Sequence, residues 1–103
     1  MDLIFGERGS GRTLRCFNYA RKNNAIIISN NARALRVKAK ALGFDDVKIL
    51  APEELNGNYA NHNALLHKWD KDIKEQWQYN EGVNITAISF DEECAVDNGD
   101  VNG

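Results

Sequence analysis

The segment Ala25-Ile26-Ile27-Ile28-Ser29 constrains the fold more than any other part of the chain. It is continuously apolar and rich in β-branched residues, a pattern typical of a strand that is buried on both faces. Strands of this kind belong to parallel sheets, whose faces are covered by the helices that connect the strands. With 103 residues, 43% of them hydrophobic, the chain is long enough for one such domain.

The pattern of apolar residues predicts strands alternating with helices along the chain. The predicted strands are 3–5, 25–29, 47–50 and 83–90, and the predicted helices are 12–22, 32–42 and 63–79. We therefore expect an α/β fold, a three-layer sandwich around a mainly parallel sheet of about four strands. Asn30 is expected to cap the helix that starts at Ala32. Residues 1–92 form the predicted domain, and residues 93–103 form an acidic tail that we expect to be disordered.

The first predicted strand runs directly into a glycine-rich segment, Gly6-Glu7-Arg8-Gly9-Ser10-Gly11-Arg12-Thr13. This is the pattern of a phosphate-binding loop, with Arg12 at the position where lysine is usual. The glycines let successive N–H groups point inward at an anion, and the following helix directs its positive end to the same place. The segment predicts a phosphate-binding site, and the residues expected to form it are Gly6, Gly9, Ser10, Gly11, Arg12 and Thr13.

A second polar element follows the last predicted strand. Residues 84–90 are mostly apolar, and the strand ends in Asp91 and Glu92. Ligands of parallel α/β sheets bind beyond the carboxyl ends of the strands. We therefore expect the glycine-rich segment, the Asp91-Glu92 pair and the Ser29-Asn30 pair to converge on one edge of the sheet.

Together the two segments resemble the Walker A and Walker B motifs of P-loop NTPases, in the class of ATPases that includes helicases and phage packaging motors. The resemblance covers roughly residues 2–93, and the order of elements is similar to the front half of a helicase-type core. It implies that Thr13 is a direct magnesium ligand and that Asp91 orders the magnesium ion and its water. It further implies that Glu92 polarises the attacking water and that Arg12 lies beside the β- and γ-phosphates.

Two departures from the family pattern limit the activity that the resemblance implies. The guanidinium of Arg12 is bulkier than a lysine ammonium and binds phosphate through a planar fork. The chain also ends soon after Asp91 and Glu92, where the family continues with elements that sense the γ-phosphate and often supply an arginine finger. We expect a truncated, minimal protein that binds ATP or another nucleoside triphosphate with magnesium, and an ATPase activity that is weak or depends on a protein partner.

Two other functions remain open at this stage. One is a non-enzymatic interaction module on a degenerate NTPase scaffold, such as a phage or mobile-element inhibitor of a host nucleic-acid machine. The other is a nucleic-acid-binding accessory that uses the cations of the second predicted helix. Those cations are Arg33, Arg36, Lys38 and Lys40. The formal net charge of −2 argues against strong unaided binding to nucleic acid.

The remaining residues predict a cytoplasmic protein without a membrane partner. The sequence has no apolar run of about 18 residues, and its first residues lead us to expect no signal peptide. Cys16 and Cys94 lack metal-ligand spacing and are expected to be free thiols. His62 and His67 are five positions apart, with no cysteine or third histidine beside them, so we expect both on the surface and propose no metal-ligand cluster.

Overall fold

The computed structural model describes residues 2–6, 11–55, 57–67 and 82–91. Five strands and two α-helices alternate through these residues, joined by two short 3₁₀ turns at Pro52–Glu54 and Gly57–Tyr59. The strands are β1 (Asp2–Gly6), β2 (Ala25–Ile28), β3 (Ile49–Leu50), β4 (Asn63–His67) and β5 (Asn84–Asp91), and the helices are α1 (Arg12–Asn23) and α2 (Ala32–Ala41).

The strands form one sheet in the order β1-β5-β4-β2-β3, and every neighbouring pair is parallel. The predicted α/β class and parallel sheet are therefore confirmed. All four residues of β2 are buried, as its apolar sequence indicated. Helices α1 and α2 end where the sequence predicts, beside Asn24 and Gly43 in left-handed conformations with φ of 52° and 84°.

The prediction of a helix beginning at Asn63 was wrong, because residues 63–67 form β4, a strand in the interior of the sheet. Ala64, Leu65 and Leu66 are almost completely buried there. A short apolar run is compatible with either a buried helix or a buried strand. Here residues 63–67 form a strand because they pair with β2 on one side and with β5 on the other. The rest of that predicted helix lies outside the described residues.

Both helices pack on the same face of the sheet. The core on this face includes Phe17 and Ala20 of α1, Leu35 and Ala39 of α2, and Ile27 of β2. A second core covers the opposite face, and within the described ranges it is closed by residues from and beside the 3₁₀ turns, such as Leu55 and Tyr59. A three-layer sandwich needs helices on both faces, whereas the described part of the chain places α-helices on one face only.

Strand β3 lies at one edge of the sheet, and two side chains occupy its outward backbone groups. Arg36 Nε donates to the Ile49 carbonyl at 2.9 Å, and Glu54 Oε1 accepts a hydrogen bond from the Ala51 N–H at 2.8 Å. The same Glu54 oxygen lies 2.7 Å from Arg36 Nη2. The pair occupies two of the backbone groups that a further strand would otherwise use, which helps to protect the edge against pairing with another chain.

Candidate functional site

The two polar segments of the sequence meet at the carboxyl edge of the sheet. Strands β1 and β5 are neighbours, and their register places Gly6 directly opposite Asp91. Each is the last residue of its strand. The start of the glycine-rich segment and the acidic end of β5 are therefore adjacent in space, although they lie at opposite ends of the domain in sequence.

Helix α1 begins at this part of the chain. Gly11 is its N-cap residue, with φ of 84° and no side-chain hydrogen bond to cap the helix. The first hydrogen bond of the helix runs from the Arg15 N–H to the Gly11 carbonyl at 3.0 Å. The N–H groups of a first turn have no partner within their helix and form its positive end. Arg12 and the partly buried Thr13 occupy this turn.

The guanidinium of Arg12 lies inside the protein, and one of its nitrogens has no partner among the described residues. Arg12 is only 8% exposed, and its buried Nη1 atom makes no hydrogen bond within residues 2–6, 11–55, 57–67 and 82–91. Burying a cation without a partner costs several kcal/mol of folding free energy. A buried guanidinium with an unpaired nitrogen in the first turn of a helix is therefore a candidate group for binding an anion.

A row of buried polar side chains runs beneath α1, just inside this edge. Ser29 follows β2, and its Oγ lies 3.3 Å from Nδ1 of His67 at the end of β4. Ser89 of β5 is opposite His67 in the register of β4 and β5, two positions before Asp91. These three side chains are at most 3% exposed. The interior of the domain is therefore polar at the edge where Gly6 and Asp91 meet.

Cys16 of α1 is also buried beside these polar side chains, on the side of the helix. Burial raises the pKa of the Cys16 thiol, while the nearby Ser89 hydroxyl and the positive charges of Arg12 and Arg15 act in the opposite direction and do not cancel it. Cys16 is a free, fully buried cysteine. A buried thiol with a raised pKa stays protonated at neutral pH and is a poor nucleophile, so its place here is structural.

Sequence reasoning did not find the burial of His67. The helix assigned to residues 63–79 put His67 on the surface, whereas the structure buries it at 3% exposure in β4. The apolar run that precedes it was the available signal, because a residue that continues a buried strand is buried as well. His62 is exposed, as predicted.

The cap of α2 also differs from the prediction. Asn31, rather than Asn30, is the N-cap residue, and its side chain makes no capping hydrogen bond. The Asn31 N–H instead donates to Ser29 Oγ at 2.9 Å. Ser29 thus satisfies the N–H of the N-cap residue itself, and not an N–H within the first turn of α2.

The structure describes only some of the residues predicted to form the site. It places Gly6 and Asp91 opposite each other and puts Gly11, Arg12 and Thr13 at the start of α1. Gly9, Ser10 and Glu92 lie outside the described residues. Within the described ranges, no group of three or more His, Cys, Asp or Glu side chains could hold a metal ion. Magnesium is often held by one or two carboxylates together with the phosphates of a substrate, which requires no such group.

No protein family, curated protein or solved structure matches the chain. Among the described residues, neither helix has the length and apolar character needed to cross a lipid bilayer. The geometry of the site is therefore the basis of the functional proposal.

Proposed function

We propose that this protein binds a nucleoside triphosphate, with ATP as the leading candidate, together with magnesium at the carboxyl edge of its sheet. The observation that carries the proposal is the buried guanidinium of Arg12 in the first turn of α1, whose Nη1 has no hydrogen-bond partner in the part of the chain that the structure describes. A phosphate group supplies the negative charge and the acceptor oxygens that this guanidinium lacks. The residues present therefore fit a phosphate-bearing ligand.

Each of the other residues has a defined task in this proposal. The N–H groups at the start of α1 donate to phosphate oxygens. The hydroxyl of Thr13 and the carboxylate of Asp91 hold the magnesium ion, consistent with the position of Asp91 opposite Gly6. Magnesium, when bound, would neutralise negative charge on the phosphates. Glu92 is the candidate for orienting and deprotonating a water molecule, and we expect hydrolysis to be slow or to require a partner protein.

Isothermal titration of the purified protein with ATP and magnesium tests the binding. We expect saturable binding that weakens about 10- to 100-fold in Arg12→Ala, which corresponds to the loss of charge-assisted hydrogen bonds. Asp91→Ala or the omission of magnesium should also weaken it. Arg33→Ala and Asp45→Ala are matched controls, because both side chains are exposed and lie outside the proposed site.

The absence of binding at millimolar ATP would overturn the proposal. A protein that binds but gives equal affinities for Asp91→Ala and Asp45→Ala would remove Asp91 from the magnesium site. Hydrolysis is measured separately as release of inorganic phosphate, with Glu92→Gln as the variant that should lose it. If neither binding nor hydrolysis is found, the non-enzymatic interaction module becomes the better hypothesis.

A further inference from the structure

The positive and negative charges of this chain occupy different parts of its sequence. Residues 8–44 contain nine lysines and arginines and no aspartate or glutamate. The nine cations are Arg8, Arg12, Arg15, Arg21, Lys22, Arg33, Arg36, Lys38 and Lys40. The net charge of −2 therefore combines a strongly basic segment, residues 8–44, with a strongly acidic segment that follows it.

The fold gathers most of these cations into one layer. Eight of them lie on α1 and α2, which pack side by side on the same face of the sheet. The layer is continuous, because Arg21 of α1 donates to the Gly43 carbonyl just beyond α2, and Phe17 packs on Phe44. Most of the helix side chains that do not face the sheet are exposed.

Only part of this positive charge is neutralised at the rim of the layer. Arg21 pairs with Asp46, and Arg36 pairs with Glu54. Four further exposed cations on the two helices have no ion pair within the described part of the chain. They are Lys22, Arg33, Lys38 and Lys40, and we call them the basic layer.

We propose that the basic layer binds the phosphodiester backbone of nucleic acid. The proposed nucleotide site lies at the carboxyl edge of the sheet, whereas the residues of the basic layer lie on exposed sides of the two helices, so this inference does not depend on nucleotide binding. The exposed cations sit on rigid helices and meet no acidic residue of α1 or α2. A surface of this kind attracts phosphates and releases their counterions.

The composition of the surface favours nucleic acid over other polyanions. The apolar residues of both helices that face the sheet are buried in its core. The large apolar side chains that the helices expose, Leu14 and Val37, together with Leu42 just after α2, are too few to form an apolar face that inserts into a membrane. A protein interface usually has aromatic residues at its centre. The aromatic residues of α1 are Phe17, which is buried, and Tyr19, which is partly buried, while α2 has none. Without exposed aromatic side chains on these helices for base stacking, contact with the backbone of a duplex is the better fit.

Fluorescence anisotropy with a labelled DNA duplex, in the absence of nucleotide, tests the proposal. If four cations contact phosphates, the logarithm of the affinity should fall with the logarithm of salt concentration with a slope of about −3.6. The double variant Lys38→Ala, Lys40→Ala should reduce that slope to about −1.8. Lys48→Ala is the matched control, because Lys48 is exposed outside the two helices, near Tyr59, and should leave the slope unchanged.

Several results would overturn the proposal. One is the absence of duplex binding at about 50 mM salt, where nonspecific binding through phosphates is strong. Another is an equal loss of affinity in Lys48→Ala and in the double variant. Tighter binding of poly-glutamate or of anionic vesicles than of DNA would point to an acidic protein or a membrane instead. An RNA duplex in parallel shows which nucleic acid is preferred, and circular dichroism of the double variant verifies its fold.

Discussion

Ser29 and His67 lie in contact at the carboxyl ends of two neighbouring strands, with Ser29 Oγ 3.3 Å from His67 Nδ1. The same hydroxyl accepts the Asn31 N–H at 2.9 Å, at the start of α2. Both side chains are almost fully buried, at 1% and 3% exposure. A single serine therefore links the interior of the sheet to the N-terminus of a helix, beside the edge where we place the phosphate site.

Ser29→Ala should lower the free energy of unfolding by about 1–3 kcal/mol, because it leaves buried polar groups without their partner. Urea denaturation followed by circular dichroism measures the change. Asn18→Ala is the control, since Asn18 is an exposed polar residue of α1 and its replacement should change stability by less than about 0.5 kcal/mol. Equal effects of the two substitutions would show that the Ser29 hydroxyl does not stabilise the fold.

Arg12→Met should make the ligand-free protein more stable while reducing its stabilisation by ATP. Replacing a buried, unpaired cation by an apolar side chain of similar length is expected to raise the free energy of unfolding by about 1–3 kcal/mol. Addition of ATP and magnesium should raise the melting temperature of the wild type and raise that of the variant much less at the same ATP concentration.

Arg33→Met makes the same chemical change at an exposed position and controls for the general effect of losing a charge. We expect it to alter stability by less than about 0.5 kcal/mol. A clear loss of stability in Arg12→Met would contradict the prediction, because it would mean that the guanidinium already stabilises the protein without a ligand.

The sequence allowed prediction of the elements whose signals are local. The apolar run of β2 is long enough and β-branched enough to identify a buried strand, and the structure buries all four of its residues. The ends of α1 and α2 follow from Asn24 and Gly43, which tolerate positive φ. The meeting of Gly6 with Asp91 also followed, because parallel strands bring their carboxyl ends to one edge.

The identity of β4 could not be predicted, because it depends on contacts between distant segments. The apolar residues after Asn63 continue at three- and four-residue spacings through Trp69, Ile73 and Trp77, which favours a helix. In the structure, Ala64 to Leu66 fill the position between β2 and β5, where a strand is buried on both sides. The same error led to the wrong prediction that His67 is exposed, because His67 is buried only when residues 63–67 form a strand.

Gly11→Ala should lower the free energy of unfolding by about 1 kcal/mol. Gly11 has φ of 84°, and a Cβ atom added there would meet nothing within 4 Å, so the cost is backbone strain alone. Thermal denaturation measures the effect. Gly57→Ala is the control, because a Cβ atom there also meets open space but φ is not in the left-handed region. If both variants are equally stable, Gly11 does not need its left-handed conformation for folding.

Glu54→Gln should destabilise the protein at neutral pH and have less effect in acid. The pKa of Glu54 is lowered, first because the Ala51 N–H donates to its carboxylate and second because Arg36 does so too. Since the pKa is lower in the folded state than in the unfolded state, the ionised carboxylate stabilises the fold. This contribution to stability is fully present when the pH is above the pKa of Glu54 in the unfolded state. It is lost as the pH falls through the lower pKa of Glu54 in the folded state.

Melting temperatures of wild type and Glu54→Gln, measured from pH 7 downward, should therefore converge once the pH passes below the ordinary glutamate pKa of 4.5. Glu53→Gln makes the same change of charge one residue earlier, at another exposed position. If it shows the same pH dependence, net charge is responsible and the contact with Ala51 is not. A larger tendency of Glu54→Gln to form dimers would further show that the carboxylate protects the edge of β3, because its loss weakens the cover on the Ala51 N–H.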